Sequence, residues 1–294
     1  MGKSRLSIKL AAEFQGEIIN CDSKQVYRGF DIGTDKLPPD ARNGIPHHLL
    51  DIVPPEHQFT AAEFLDRAHR VTEDILSRGK LPIFTGGTGL YLTAIIKGLF
   101  PGGGRDEGIR RRLEQEVERL GLEPLFRRLE SFDPQYASRV GTNDRIRILR
   151  ALEVFAITGR SMTENFALTR SIFDAYEKTL IGLRMDREAL YTRIEKRVDR
   201  MFARGLVEEV RSLMEDGVPA DAPPFRALGY RQAVRHLSTE ISLEEAVEQT
   251  KIETRHYAKR QMTWFRKMEG IRWFSPEDIT EISDWMEERL RPLN

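Results

Sequence analysis

The fold of this chain is decided by residues 17–36, EIINCDSKQVYRGFDIGTDK. The apolar pair Ile18 and Ile19 predicts a short buried strand, which ends at Cys21-Asp22-Ser23. In an α/β sheet, an aspartate at the carboxyl end of a strand lies at the edge where ligands bind. On its own, Asp22-Ser23 would more often be the N-cap of a helix. The functional interpretation of this segment therefore depends on the motifs around it.

The chain has 294 residues, and 40% of them are hydrophobic. This content is high enough to form a core, so the composition predicts a folded protein. No apolar run approaches the roughly 18 residues that a membrane span needs. Basic and acidic residues number 46 each, so any nucleic-acid surface must come from local clusters of charge. Cys21 is the only cysteine, which excludes an internal disulfide framework or a thiolate zinc site and favours a reducing cytoplasm.

The chain opens with Gly2-Lys3-Ser4, followed by a helical pattern through Leu6 and Leu10. Gly-Lys-Ser at the start of a helix is the second half of the P-loop, G-x-x-x-x-G-K-[ST]. In that loop, backbone amides and the lysine ammonium bind phosphate, and the hydroxyl binds Mg²⁺. The tripeptide alone is weak evidence, but the helix and strand that follow it strengthen the interpretation.

A second glycine-rich turn, GGTGLY at residues 86–91, follows a predicted strand at 81–85. Strand, glycine turn and helix together form a geometry in which backbone amides can approach a phosphate closely. A turn that serves only packing is an equally good local interpretation. The sequence therefore predicts a second candidate phosphate site without deciding between the two.

The composition changes after Pro101. Residues 102–104 are all glycine and predict a flexible joint, and residues 105–160 predict helices with twelve arginines, no lysine and ten acids. Arginine suits contacts with phosphate and bases better than lysine does, although most of these charges would lie on a solvated helix face. We interpret residues 105–171 as a helical insertion that faces nucleic acid, placed between the two parts of an α/β core, 1–104 and 172–294.

The α/β pattern returns after the insertion, with predicted strands at 179–183 and 271–274. Residues 191–214 predict one long amphipathic helix that stops before Gly217. A later helix carries the densest basic stripe of the chain, with six basic residues and one acid between positions 251 and 267. Trp264 lies within this stripe and is predicted to be a core residue.

The motifs occur in the order seen in one known family. They are GKS, INCDSKQVYRGFDIGTDK, PHHLLDI, TGGTGLY, RALEV with TGRS, FRALGYRQ and AKRQMTWFRK. Together they span essentially the whole chain, and the DSKQVY, GGTGLY and GYRQ pieces are jointly specific. On these residues the chain resembles the tRNA dimethylallyltransferases, also called tRNA isopentenyltransferases. The resemblance implies an α/β fold: a P-loop nucleotide-kinase-like parallel sheet core with a helical insertion domain.

The resemblance also implies an activity. A dimethylallyl group would pass from dimethylallyl diphosphate to N6 of the adenine at position 37 of tRNA, next to the anticodon, and Mg²⁺ would be required. The implied partners are tRNA and dimethylallyl diphosphate, with no membrane. We expect a cytoplasmic enzyme that acts as a monomer.

Site residues follow from the same resemblance. The implied catalytic residues are Asp22 as the general base at N6, Thr88 as support for the leaving oxygen, and the cations Lys3 and Arg226. The implied diphosphate-binding residues are Gly2, Lys3, Ser4, Thr88 and Arg226, and Ser4 is also the implied metal ligand. The implied tRNA-binding residues are Asp22, Ser23, Lys24, Gln25, Arg110, Ile146, Arg147, Ile148, Leu149 and Arg150.

The chain departs from the family pattern at its start. Family members carry a strand and the first half of the P-loop before the position of Met1, so we expect a true start upstream or a fragment with impaired activity. The single cysteine is too few for the zinc finger of the eukaryotic members, so the chain resembles the bacterial type.

Three alternatives stay open at this point. One is a small-molecule P-loop kinase that uses ATP, against which the arginine-rich insertion counts. Another is an adenylate isopentenyltransferase that prenylates free nucleotides. The last is an RNA-binding module whose phosphate loop is inactive.

Overall fold

Residues 2–290, the part of the chain that the computed structural model describes, form both strands and helices. The strands are β1 Gly16–Cys21, β2 His47–His48, β3 Leu81–Gly86, β4 Leu180–Leu183 and β5 Ile271–Phe274. The helices are α1 Lys3–Glu13, α2 Ala61–Ser77, α3 Gly89–Lys97, α4 Glu107–Leu120, α5 Glu123–Phe132, α6 Pro134–Ala137, α7 Arg145–Thr158, α8 Met162–Ala167, α9 Arg187–Ala203, α10 Leu206–Glu215, α11 Tyr230–Leu237, α12 Leu243–Phe265 and α13 Ile279–Leu290. Short 3-10 turns cover Pro39–Arg42 and Pro223–Arg226.

β1 is the central strand of a parallel sheet with the order β2-β1-β3. Ile18 lies opposite His47 on one side and Ile83 on the other, and all six residues of β1 are buried. β4 and β5 form a second parallel pair, in which Leu180 lies opposite Ile271. Because parallel strands end at the same edge of a sheet, Cys21 and Gly86 lie side by side at the carboxyl ends of β1 and β3. The predicted α/β class with a parallel sheet is confirmed.

The chain divides into two compact units, 1–93 with 177–294 and 94–176. In its described residues the first unit contains both sheets. The second contains helices α4 to α8, packed around a core that includes Leu125, Leu129 and Ile148. The division falls at 93/94 and 176/177, whereas the sequence predicted 104/105 and 171/172. The tRNA-binding role of the inserted segment stays a prediction.

One aromatic cluster in the first unit fixes the segment that follows β1. The Phe30 ring centroid lies 5.0 Å from that of Phe225 and 4.9 Å from that of Tyr230. Gly33 approaches Tyr230 so closely that a Cβ atom at position 33 would collide with the ring. The DIGTDK part of the segment therefore needs glycine at position 33 for close packing, rather than for an unusual backbone angle.

Glu17 places a buried carboxylate within β1. Arg78 donates two hydrogen bonds to it, and the His48 Nε2 atom lies 2.7 Å from its Oε2 atom. Hydrogen bonding from Arg78 is the main reason that the pKa of Glu17 falls to about 2. The first strand is thus tied electrostatically to β2 and to the end of α2.

The single helix predicted over 191–214 is wrong. α9 ends at Ala203 and α10 begins at Leu206, because Gly205 between them adopts a left-handed backbone conformation with φ of 92°. That conformation is open to glycine and interrupts a right-handed helix. Because of this break, the apolar side chains of α10, among them Leu206 and Val210, pack in the same core as Phe30.

Candidate active site

The carboxyl ends of β1 and β3 bring two of the predicted motifs together. The Thr88 amide donates a hydrogen bond to the Cys21 carbonyl oxygen at 3.2 Å. The Ser23 amide donates to the Thr88 hydroxyl at 3.0 Å. The DSKQ segment and the GGTG turn therefore form one site at one edge of the sheet.

Asp22 is held in a tight turn at this edge. Its Oδ1 atom accepts a hydrogen bond from the Lys24 amide at 2.8 Å, and its own amide donates to the Asn20 side-chain oxygen at 3.2 Å. Asn20 in turn donates to the Leu49 carbonyl at 3.1 Å. Within residues 2–290 the Oδ2 atom of Asp22 has no hydrogen-bond partner. One carboxylate oxygen therefore fixes the turn, and the other is available to accept a proton.

Lys3 and Lys24 lie beside this carboxylate. Burial lowers the pKa of Lys3 below its ordinary value of 10.5, and the Asp22 charge acts in the opposite direction. Burial also lowers the pKa of Lys24, again opposed by Asp22, and nearby Arg226 adds a smaller lowering. The Lys24 ammonium donates to the Pro223 carbonyl oxygen at 2.9 Å. The site thus combines one acid with several cations from distant parts of the sequence.

Arg226 ends the 3-10 turn Pro223–Arg226 and is exposed. Its one hydrogen bond among the described residues is long, 3.4 Å from Nη2 to the Asp221 carbonyl oxygen. It has no ion-pair partner in the part of the chain that the structure describes. Its guanidinium is therefore free to bind an anion close to Lys24.

The segment after β1 is braced by hydrogen bonds and ion pairs among its own residues and Asp51. Lys36 is buried, and its ammonium contacts Asp31 at 2.6 Å and Asp51 at 2.5 Å. The Gln25 side chain donates to the Thr34 carbonyl at 3.0 Å. Gln25, predicted as a tRNA contact, is thus hydrogen-bonded within its own loop.

Sequence reasoning missed the contribution of α12. The Gln261 side chain donates to the Gly87 carbonyl at 2.6 Å, and the Trp264 indole donates to the Thr93 hydroxyl at 3.1 Å. Trp264 lies against Gly89 and is 43% exposed, so its prediction as a core residue is wrong. The spacing of three residues between Gln261 and Trp264 puts both on one helix face, and this was the signal available in the sequence.

Arg197 on α9 was also missed. Its Nε atom lies 3.2 Å from a carboxylate oxygen of Asp35, in the segment after β1. Its charge adds to the lowering of the Lys3 pKa that burial causes. α9 and α12 therefore add a cation and polar groups to the edge that β1 and β3 create.

The predicted tRNA-binding residues of the second unit differ in their exposure. Ile146 is 73% exposed, and the Arg147 side chain is 57% exposed beside Asp144. Ile148 and Leu149 are 0% and 2% exposed, and their side chains fill the core of this unit, so their contact with tRNA stays a prediction. Motif matching selected the segment without regard to which side of the helix faces the core.

Arg150 and Arg110 are both engaged within the second unit. Arg150 donates to the carbonyl oxygens of Gly103 and Gly104 and to the buried carboxylate of Glu153. Arg110 lies 3.4 Å from Glu114 and 3.8 Å from Glu153. The glycine segment predicted to be a flexible joint is therefore tethered to α7 by Arg150.

A magnesium ion fits this site only as a partner of phosphate oxygens. Among residues 2–290 no group of three His, Cys, Asp or Glu side chains could hold a metal ion. Ser4, next to Lys3 at the start of α1, has an exposed hydroxyl. Mg²⁺ commonly binds through one or two protein oxygens together with substrate phosphates, and this donor set matches that mode.

None of the helices in the described part of the chain combines the length and the apolar composition that crossing a membrane requires.

The chain is similar to proteins of one family. A model of the IPP transferase family matches residues 25–268. The tRNA dimethylallyltransferase of Geobacter metallireducens is 49% identical over 272 residues, which is 92% of this chain and 88% of that protein. The tRNA dimethylallyltransferase of Geobacter sulfurreducens is 46% identical over 96% of this chain and 91% of that protein.

Solved structures agree with the sequence comparisons. The full-length tRNA isopentenylpyrophosphate transferase of Bacillus halodurans superposes with a TM-score of 0.72 at 38% identity, covering 98% of this chain and 93% of that one. A eukaryotic dimethylallyltransferase acting on tRNA superposes with a TM-score of 0.78 at 31% identity, covering 98% and 74%. The predicted P-loop nucleotide-kinase-like fold is confirmed by this likeness. The chain belongs to the IPP transferase family.

Proposed function

We propose that this chain is a prenyltransferase that moves a dimethylallyl group from dimethylallyl diphosphate to N6 of the adenine at position 37 of tRNA, next to the anticodon. The observation that carries the proposal is the meeting of one carboxylate, Asp22, with the cations Lys3 and Lys24 where β1 and β3 end. Membership of the IPP transferase family and the names of the relatives support the same chemistry.

On the donor side, the site would chiefly stabilise the departing diphosphate. An allylic diphosphate ionises readily, so the main barrier is the negative charge that builds on the leaving group. Lys3, Arg226 and the first amides of α1 are positive groups that would bind this charge. One such preorganised donor is worth about 3–4 kcal/mol. The Thr88 hydroxyl, held by the Ser23 amide, would support the leaving oxygen.

On the acceptor side, Asp22 would act as the general base. The adenine N6 atom forms a bond to the allylic carbon, the bond from that carbon to the diphosphate oxygen breaks with its electron pair, and Asp22 takes one N6 proton. A positioned base typically contributes a factor of about 10²–10⁴ to the rate. To reach this carboxylate, the adenine would have to leave its stack, at a cost of a few kcal/mol.

Mg²⁺ is the proposed cofactor, with Ser4 as its protein ligand. When bound with the diphosphate, the ion would neutralise part of its charge. The rest of the anion binding falls to this chain's own groups, Gly2, Lys3 and Arg226. We propose a cytoplasmic location because the substrate is tRNA, and a monomer as the acting form.

The function is tested with isotope-labelled dimethylallyl diphosphate and Mg²⁺. We expect label on a tRNA with adenine at position 37 and none on the same tRNA with guanine there. Label on AMP instead would identify an adenylate isopentenyltransferase and contradict the proposal. Binding of tRNA with no transfer to tRNA or AMP would contradict the proposal and identify an RNA-binding module.

For tRNA binding, the second unit offers Arg147 as the testable contact, because its side chain is exposed while Arg150 is engaged. We expect Arg147→Ala to raise the KM for tRNA and to reduce the slope of log affinity against log salt by about one unit, since one phosphate contact is lost. The matched control is Arg127→Ala, on α5 of the same unit and paired with Glu123 at 2.5 Å. An unchanged salt slope in the Arg147 variant would remove this residue from the interface.

A further inference from the structure

One face of α12 covers the glycine turn that follows β3. Gln261 binds the carbonyl of Gly87, and one turn further along, Trp264 lies against Gly89. Tyr257 lies one turn before Gln261 on the same helix, four residues earlier. Burial is the main reason that the pKa of Tyr257 is raised, and the Asp22 charge adds to it, so the same helix face extends toward the acceptor side of the site.

The peptide group between Gly87 and Thr88 is held at both of its ends. Its carbonyl oxygen accepts from Gln261 Nε2 at 2.6 Å, and its amide donates to the Cys21 carbonyl at 3.2 Å. Because a peptide group is planar and stiff, two hydrogen bonds on opposite atoms fix its orientation. The position of Thr88, which accepts from the Ser23 amide, follows from that orientation.

Lys3 lies on the same side of the glycine turn as Gln261. Its Nζ atom is 3.7 Å from the point where a Cβ atom on Gly87 would be, and Gln261 Nε2 is closer still to that point. Within residues 2–290 the Lys3 ammonium donates no hydrogen bond. The Gly87 carbonyl is a strong acceptor that must be paired when water is excluded, and the Lys3 ammonium is a donor that lies beside this glycine if Gln261 is removed.

We infer that Gln261 is a positioning residue of the diphosphate pocket: by occupying the Gly87 carbonyl, it leaves the Lys3 ammonium free for a diphosphate and fixes Thr88 beside it. The inference rests on the proposed function for the identity of the anion. Gln261 itself need not touch the substrate. Its effect passes through the carbonyl that it binds.

The test is Gln261→Met, which keeps the length and volume of the side chain and removes its amide. We expect binding of inorganic pyrophosphate in the presence of Mg²⁺, measured by calorimetry, to weaken by about tenfold, as for loss of one charged hydrogen bond. The KM for dimethylallyl diphosphate should rise by the same factor. The KM for tRNA should stay within about twofold, because no charge that faces RNA changes.

The matched control is Gln249→Met on the same helix. Gln249 accepts a hydrogen bond from Arg235 at 3.0 Å, away from the glycine turn. It should leave pyrophosphate binding unchanged while costing comparable stability. Loss of pyrophosphate affinity in both variants, or in neither, would overturn the inference.

Gln261→Glu provides an independent readout if the methionine variant folds poorly. A carboxylate cannot donate to the Gly87 carbonyl and repels a diphosphate, but a protonated carboxyl group can donate. Relative to the unmodified chain at each pH, its pyrophosphate affinity should therefore recover as the pH falls toward the pKa of a glutamic acid, about 4.3. A deficit that is constant with pH would argue for a purely structural role.

Pyrophosphate binding requires no RNA, which separates this inference from the proposed function. If the unmodified chain transfers no prenyl group but Gln261→Met still weakens pyrophosphate binding, the function fails and the positioning role stands. If transfer to tRNA is normal in Gln261→Met, the positioning role fails and the function stands.

Discussion

Asp22→Asn is expected to slow prenyl transfer by about 10²–10⁴-fold, the usual contribution of a positioned general base. The substitution tests the base alone, because the side-chain oxygen of asparagine can still accept a hydrogen bond from the Lys24 amide. In Asp22 that bond is 2.8 Å long and holds the turn. Only the second oxygen changes, from a proton acceptor to an amide nitrogen. The turn, and with it Ser23 and Thr88, should stay in place.

Single-turnover transfer at saturating tRNA measures this loss, and filter binding should show tRNA affinity within a few-fold of the unmodified chain. Asp40→Asn is the control, since Asp40 is an exposed aspartate in the 3-10 turn Pro39–Arg42. Near-normal turnover of the Asp22 variant would refute the assignment of the base. A large loss of tRNA affinity would instead make Asp22 an RNA contact.

Lys3→Met is expected to lower kcat/KM for dimethylallyl diphosphate by about 10²–10³-fold, as for removal of one preorganised donor to a developing anion. The loss should appear in the kinetics for dimethylallyl diphosphate, and the KM for tRNA should stay unchanged. Lys9→Met is the control, because Lys9 is an exposed lysine on the same helix, α1. Equal kinetics for the Lys3 variant and this control would exclude Lys3 from the diphosphate pocket.

The protonation of Lys3 also predicts a pH dependence. Burial lowers its pKa below 10.5, so the ammonium loses its proton at a lower pH than an ordinary lysine does. Because the charged form binds the anion, kcat/KM for the donor should fall as the pH rises through that lowered pKa. In Lys3→Arg, which keeps its charge, this alkaline decline should disappear even if the absolute rate is lower. A decline that persists in Lys3→Arg would belong to another group.

The meeting of Asp22 and Thr88 could be predicted from the sequence because it depends on topology alone. Each follows the end of a predicted strand, and parallel strands end at one edge. Gln261 could not be found this way. Its partner, Gly87, is 174 residues away, and the spacing from Gln261 to Trp264 shows that they share a helix face but not what that face binds.

The direction of side chains was the second feature that the sequence did not predict. The segment 146–150 was identified as a unit, yet Ile146 faces outward while Ile148 and Leu149 are buried. The arginine content did not show what each arginine binds, since Arg150 binds the carbonyls of Gly103 and Gly104 within the protein. The break at Gly205 was hidden because apolar spacing continued across it. For the side chains, the missing information was a contact between residues far apart in the chain or the phase of a helix against its core, and for Gly205 it was a left-handed backbone conformation.

Cys21 has a practical consequence for measuring these contacts. It is fully buried beneath Asp22, and burial raises the pKa of its thiol, so it should resist alkylation in the folded protein. A cysteine introduced at an exposed position, such as Arg127, would then be the one thiol that a fluorescent dye can reach. Distances from that dye to a labelled RNA could be recorded without first replacing the native cysteine and disturbing the strand that leads into the Asp22 turn.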